Sequence, residues 1–350
     1  MSGRGFASDN HSGVHPEVLE AIAAANDAHA PAYGADRFTT ALASRFREHF
    51  GSDAVGLPVF NGSGANVVAI AAVTRPWQAV ACPETAHLNV DEAGAPEKVA
   101  GVKLLPVTTP DGKLTPDLLE RAIPWSRVGD EHFAQPRVIS ISNSTELGTV
   151  YDPDEVAALA DFAHQRDLLL HVDGARLANA AVAAGASLGD LTTGAGADLL
   201  SFGGTKNGLL AGEAVVFLRR GLGDGAASIR KGALQLASKM RFLSAQLDAL
   251  LGPGDLWRRN AAHANEMAAR LADAITAVEG VELAHPAQAN GVFAHLPAAA
   301  IEQLEFGEGG ERAFYVWEEE AGVVRLMTSW DTTPGDVDGF TERLRRAAGR

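Results

Sequence analysis

Seven short apolar runs recur between residues 55 and 218: VGLPVF, WQAVACPE, GVKLLPVTT, RVISIS, LLLHVD, DLLSFG and EAVVFL. Each is bounded by Gly, Pro or polar residues, and all but DLLSFG carry β-branched side chains, which marks buried strands. Helix signals fall between several of them. Thr115-Pro116 supplies an N-cap and a Pro at the first helical position ahead of DLLERA. Asp152-Pro153 does the same, with Glu155 placed as in a capping box. Val156, Leu159, Ala160 and Ala163 then repeat at helical spacing and give that helix one buried face. Strands alternating with helices predict an α/β fold, a mostly parallel sheet with helices on both faces. Ligands in such sheets bind beyond the carboxyl ends of the strands, so the residues after each run carry the chemical reading.

The chain of 350 residues is long enough for one large domain and a smaller one. Residues 1–40 read as an arm and one helix, 41–250 as the large domain and 251–350 as a small C-terminal α/β domain. A net charge of −15 argues against nucleic acid as a partner and disfavours an anionic membrane surface. The single cysteine, Cys82, precludes an internal disulfide and fits a reducing, cytoplasmic setting. MSGRGFASDN lacks the apolar core of a signal peptide, and no apolar run approaches the roughly 18 residues of a membrane span. No His, Cys, Asp or Glu cluster has metal-ligand spacing, so no metal is expected.

Three strand ends stand out. After LPVF comes Asn61-Gly62-Ser63-Gly64-Ala65-Asn66, then a helix. Small residues there let backbone N–H groups approach a phosphate, though a tight strand–helix turn is the plainer reading. After LLLHV comes Asp173, which can pair with a protonated pyridine nitrogen, or with Arg176, or cap the next helix. After DLLSF, Lys206 sits among small residues and is either a desolvated Schiff-base lysine or a solvated loop lysine. Together, an anion loop, an aspartate and a lysine at strand ends match the needs of pyridoxal 5'-phosphate. His87, after VACPE, can stack on a ring or act as a base; a surface or core histidine is the alternative.

With these residues in place the chain resembles the fold-type-I pyridoxal-phosphate enzymes, and among them the low-specificity L-threonine aldolases. The matching stretches are FASDN (6–10), AYGAD (32–36), FNGSGAN (60–66), ETAHLNVDEAGAPE (84–97), TELGTVY (145–151), LHVDGARLANA (170–180), SFGGTKNG (201–208), LASKMRFLSA (236–245), NGVF (290–293) and MTSWDT (327–332). They span nearly the whole chain.

The resemblance implies retro-aldol cleavage of L-threonine, L-allo-threonine and other β-hydroxy-α-amino acids to glycine and an aldehyde, through an aldimine on Lys206 and a quinonoid intermediate. Asp173 would pair with the pyridine nitrogen, His87 would stack on the ring, and Gly62 and Ser63 would hold the phosphate. Arg176 would reach the ring hydroxyl oxygen or the substrate carboxylate. Ser8 and Arg325 would bind that carboxylate, and Tyr33 would line the site. A homodimer or homotetramer with sites at the subunit interface is implied, with Lys239 and Arg241 as phosphate contacts from the neighbouring subunit. Glu146 stands where another branch has a histidine. It is a base for the β-hydroxyl, an orienter of water or His87, or a structural acid. An aldolase preferring aryl substrates such as phenylserine, or another pyridoxal-phosphate lyase or aminotransferase chemistry, is the alternative.

Overall fold

A computed structural model describes residues 4–307 and 310–349; the first three residues of the expected arm lie outside that range. Among the described residues, eleven strands form two sheets. The larger contains β1 (Val55–Val59), β2 (Gln78–Pro83), β3 (Lys103–Val107), β4 (Gln135–Ser142), β5 (Leu169–Gly174), β6 (Leu199–Gly203) and β7 (Glu213–Phe217). Its order is β1-β7-β6-β5-β4-β2-β3. Pairing is parallel from β3 across to β6, while β7 runs antiparallel to both β6 and β1. All seven apolar runs are therefore strands of one sheet.

Alternate residues of these strands enter two different cores, which is why the runs are apolar throughout. Val138, Leu169, Leu199 and Val215 pack on one face with the helix Gly62–Val73. Ile139, Leu170, Leu200 and Val216 pack on the other with the helix Pro153–His164. The Asp152 cap forms both halves of its capping box, and Thr115 caps the helix Pro116–Ala122.

On the first face the layers change character toward the carboxyl ends. Above Val138, Leu169 and Leu199 lies a polar layer, in which His171 Nδ1 is 2.9 Å from Ser140 Oγ and Nε2 is 2.9 Å from Ser201 Oγ. Burial pushes this imidazole down to about 4, so it is neutral and both hydroxyls are needed to satisfy it. Asp173 and Ser142 come next, at the rim.

The backbones of β5 and β6 approach closely beneath that rim. A Cβ on Gly203 would stand 2.4 Å from the Ala175 carbonyl oxygen, a backbone atom that cannot swing away. Gly203→Ala is expected to destabilise the fold by about 3 kcal/mol, the upper range for overpacking. Urea unfolding checks this, and an unchanged midpoint would count against the tight approach.

The second sheet, in order β10-β11-β9-β8, contains β8 (Glu282–Leu283), β9 (Gly291–His295), β10 (Tyr315–Glu318) and β11 (Val323–Met327), all antiparallel. Its inner face packs on Leu271 and Ile275 of the helix Leu256–Thr276 and on Val337, Phe340 and Leu344 of the helix Pro334–Ala348. Phe6 belongs to this core. Its N–H donates to the Ala313 carbonyl at 2.7 Å, and its carbonyl accepts from Met327 N–H at 2.7 Å. Burying the ring contributes about 2 kcal/mol. That anchor delivers Ser8 and Asp9 to the rim of the large sheet.

Candidate active site

A cavity of about 420 Å³ opens at the carboxyl ends of β4, β5 and β6 and is closed on its far side by the second sheet. Lys206, Asp173, His87, Glu146, Arg176, Arg325, Ser8 and Gly62 all line it. The residues come from segments up to some three hundred positions apart, brought together because parallel strands all end on one edge.

Lys206 lies in a short 3₁₀ turn, Thr205–Asn207, directly after β6. Glu213 of the neighbouring β7 holds the start of this turn by accepting the Gly204 N–H at 2.7 Å. Burial pushes the Glu213 carboxyl up to about 7, against the pull of those N–H groups and of Lys206. The Lys206 ammonium is lowered below its ordinary value, first by the charge of Arg176 and then by burial. More of the amine is therefore neutral and nucleophilic at neutral pH.

Asp173 ends β5 with its Oδ1 accepting the Ala175 N–H at 3.0 Å and its Oδ2 accepting from Asn66 Nδ2 at 2.7 Å. It does not pair with Arg176. That guanidinium instead forms a fork with Asp9, Nε to Oδ2 at 2.7 Å and Nη2 to Oδ1 at 2.9 Å. Asn290 Nδ2 adds a third bond to Asp9 at 3.1 Å. Burial alone would raise the Asp9 carboxyl, but Arg176 and Lys206 overcome it and hold the group below its ordinary range.

His87 begins a one-turn helix. Its N–H donates to Glu146 Oε1 at 2.9 Å, and its Nδ1 lies 3.0 Å from Glu92 Oε1. The Glu92 bond raises the imidazole above its ordinary 6.5, against burial and Lys206. Glu146 also accepts from Ser142 Oγ at 2.5 Å, while its buried Oε2 has no partner among the described residues. Burial raises the Glu146 carboxyl, against the bonds from Ser142 and His87.

The helix Gly62–Val73 starts at the cavity. The Asn61 side chain caps only the Gly64 N–H, at 2.7 Å, so the N–H groups of Gly62 and Ser63 in the first turn remain available to an anion. Gly62 lines the cavity, and Ser63 is half-buried beside it.

On the opposite wall, the Arg325 guanidinium sits 5.3 Å from the Tyr315 ring centre and 4.8 Å from that of Trp317. Its buried Nε has no partner among the described residues, and burial lowers its proton affinity. Phe293 packs edge-on to Trp317. A cation held between rings and short of acceptors suits an anion such as a carboxylate. Ser8 Oγ accepts the Asn10 N–H at 3.2 Å.

Tyr33, expected to line the site, lies outside this chain's cavity, as do Lys239 and Arg241, expected to reach the phosphate from a neighbouring subunit. Tyr33 is 53% exposed with Lys231 over its ring. Lys239 is exposed, and Arg241 Nη1 donates to the Asp27 and Ala28 carbonyls. Sequence reasoning missed Asp9, Asn66, Glu92, Glu213 and Asn290. Asp9, Asn66, Glu92 and Asn290 each stood inside a noted stretch, but only the fold brings them to their partners, most of which are distant in sequence.

Residues 5–299 match the family model described as beta-eliminating lyase. The low-specificity L-threonine aldolase of Pseudomonas aeruginosa is 46% identical over 341 residues, covering 97% of this chain and 96% of that protein. A second such enzyme, from a Pseudomonas species, is 44% identical over the same shares. The threonine aldolase of Leishmania major superposes with a TM-score of 0.89 at 30% identity, covering 97% of this chain and 98% of that one. An aspartate aminotransferase of Thermus thermophilus shares the fold, with a TM-score of 0.71 at 19% identity over 99% and 92% of the two chains.

Proposed function

This chain belongs to the beta-eliminating lyase family, and from that membership we propose that it is a carbon–carbon lyase that cleaves L-threonine and L-allo-threonine to glycine and acetaldehyde. Other β-hydroxy-α-amino acids give glycine and the corresponding aldehyde. The architecture is that of the fold-type-I pyridoxal-phosphate enzymes. The observation that carries the reading is the convergence of Lys206, Asp173 and His87 on one cavity that also holds Arg325.

The donor set fits pyridoxal 5'-phosphate. Gly62 and Ser63 would hold the phosphate at a helix N-terminus, Asp173 the ring nitrogen, His87 a ring face and Lys206 the aldehyde. When bound, the cofactor links the substrate amine and supplies a protonated ring that accepts the electron pair left when the Cα–Cβ bond breaks.

The protein's own part is positioning and proton transfer. Arg325 takes the substrate carboxylate and, with Ser8, fixes the rotation about Cα, so that the Cα–Cβ bond is the one set to break. Arg176, already held by Asp9, carries a fixed positive charge beside Lys206. These cations act locally against a net charge of −15, whose far-off charges solvent screens over about 8–10 Å. Lys206, its proton affinity lowered by Arg176 and by burial, is the amine that would hold the cofactor's aldehyde. His87 accepts the proton of the β-hydroxyl at Nε2, the nitrogen that Glu92 does not use. Glu146 holds the His87 backbone.

His87→Asn is therefore expected to lower kcat by about 100-fold or more, the usual worth of a general base. Glu146→Gln should cost about tenfold or less. An alcohol-dehydrogenase-coupled acetaldehyde assay, with glycine quantified, measures both. The reverse ranking would move the base to Glu146.

Phe293, Tyr315 and Trp317 along the cavity favour a second reading, a preference for aryl β-substituents. Relative kcat/KM on threonine and phenylserine decides it. The enzyme is also read as a cytoplasmic homodimer or homotetramer, with Tyr33, Lys239 and Arg241 turned toward a neighbouring subunit's cavity. Light scattering during size-exclusion chromatography tests that reading.

A further inference from the structure

A buried chain of hydrogen bonds runs from Asp173 to His87. Asn66 Nδ2 donates to Asp173 Oδ2 at 2.7 Å and to Glu92 Oε1 at 2.9 Å, and the same Oε1 lies 3.0 Å from His87 Nδ1. The Glu92 side chain is 0% exposed, whereas that of His87 is 40% exposed toward the cavity. Burying a carboxylate fully is costly unless its partners repay it. Both the Asn66 amide and the His87 imidazole meet Glu92 at Oε1, while its buried Oε2 has no partner among the described residues.

A carboxylate only accepts hydrogen bonds, so His87 Nδ1 carries the hydrogen and the lone pair of the neutral ring rests on Nε2. Asn66 spends its two amide hydrogens on two different acids. The acid beneath the cavity and the acid behind the imidazole thus share one rigid donor.

We propose that Glu92 is a positioning residue for proton transfer at His87, holding the imidazole as its Nδ1–H tautomer and, through Asn66, making its basicity answer to the charge on Asp173. The proposal rests on the reading of His87 as the proton acceptor in retro-aldol cleavage. The charged groups around the imidazole are Glu92 and Asp91 from its own segment, Asp173 from β5, Lys206 from beyond β6 and Glu146 from beyond β4. Glu92 and Asp173 favour the protonated ring and Lys206 opposes it.

The sign of the pH effect follows. Only neutral imidazole accepts a proton, so activity falls as pH drops through the raised His87 midpoint. Removing the Glu92 charge lowers that midpoint and moves the acid limb to lower pH.

Hydrogen–deuterium exchange at imidazole C2, read by peptide mass spectrometry on the holoenzyme, gives the His87 midpoint separately from the other histidines. In Glu92→Gln the midpoint is expected to fall by about one unit. The acid limb of kcat/KM should follow it, kcat should drop about 10- to 100-fold, and KM should change less than about threefold. The visible cofactor band should persist. Glu92→Asp, which keeps the charge, should stay nearer the wild-type midpoint.

An unmoved midpoint and acid limb in Glu92→Gln overturns the proposal, even if kcat is lost. Should that variant fail to fold, the wild-type midpoint decides: above 6.5 supports the proposal, at or below 6.5 overturns it. A wild-type enzyme that makes no glycine from threonine sinks the aldolase reading instead, and the His87 midpoints still decide the role of Glu92.

Discussion

Lys206→Ala protein is expected to lack the visible cofactor band and to lose at least about 1000-fold in threonine cleavage, about 4 kcal/mol of barrier. The loss follows from what the side chain offers, an amine lowered by Arg176 and by burial at the end of β6. Among the described residues, no other lysine lines the cavity. Folding should survive the change, because the acids that face Lys206 have other partners: Asp9 has Arg176 and Asn290, Asp173 has Asn66, and Glu213 has the Gly204 N–H. Borohydride reduction of the wild-type holoenzyme, followed by peptide mapping, should label Lys206. A label on another lysine, or a coloured and active Lys206→Ala enzyme, would overturn the assignment.

Asp173→Asn is expected to cut turnover by at least about 100-fold, about 2.7 kcal/mol. Two effects add. The carboxamide no longer supplies the negative charge that keeps a ring nitrogen protonated. Its NH2 group is also drawn into conflict with Asn66, whose Nδ2 donates to Asp173 Oδ2 at 2.7 Å. If the NH2 turns away from Asn66, it meets the Ala175 N–H, which donates to Oδ1 at 3.0 Å. Either rotamer sets donor against donor. Loss of cofactor affinity should accompany the loss of rate, measured by titrating cofactor into the apoprotein. A loss below tenfold in steady-state turnover would remove Asp173 from its role as the electron-sink partner.

The large sheet was legible from its seven apolar runs because strands buried on both faces carry a distinctive local signature. Lys206, Asp173, His87 and Gly62 were legible for a related reason. Each stands at the carboxyl end of a strand or a few residues beyond it, and in this architecture that position brings a residue to the cavity. The reversed direction of β7 was not legible. A continuous apolar run reads the same in either direction, so nothing in EAVVFL distinguishes it from its parallel neighbours.

The residues that escaped the sequence reading share one property: their value lies in a partner. Asp9 matters because Arg176, 167 positions away, forks onto it. Glu92 sits five residues after His87 in a stretch already marked, yet only the fold turns it inward beneath the imidazole. Tyr33, which the resemblance puts at the site, stands exposed on this chain, away from the residues that line its cavity.

Local chemistry, written in runs, caps and strand-end residues, specified the sheet and which groups would gather at its edge. The pairings among those groups, Arg176 with Asp9 rather than Asp173 and Asn66 shared between two acids, came only with the folded chain. Burial makes an unpaired charge costly, and the partner that relieves it is whichever group the packing brings within about 3 Å. No local pattern encodes that distance.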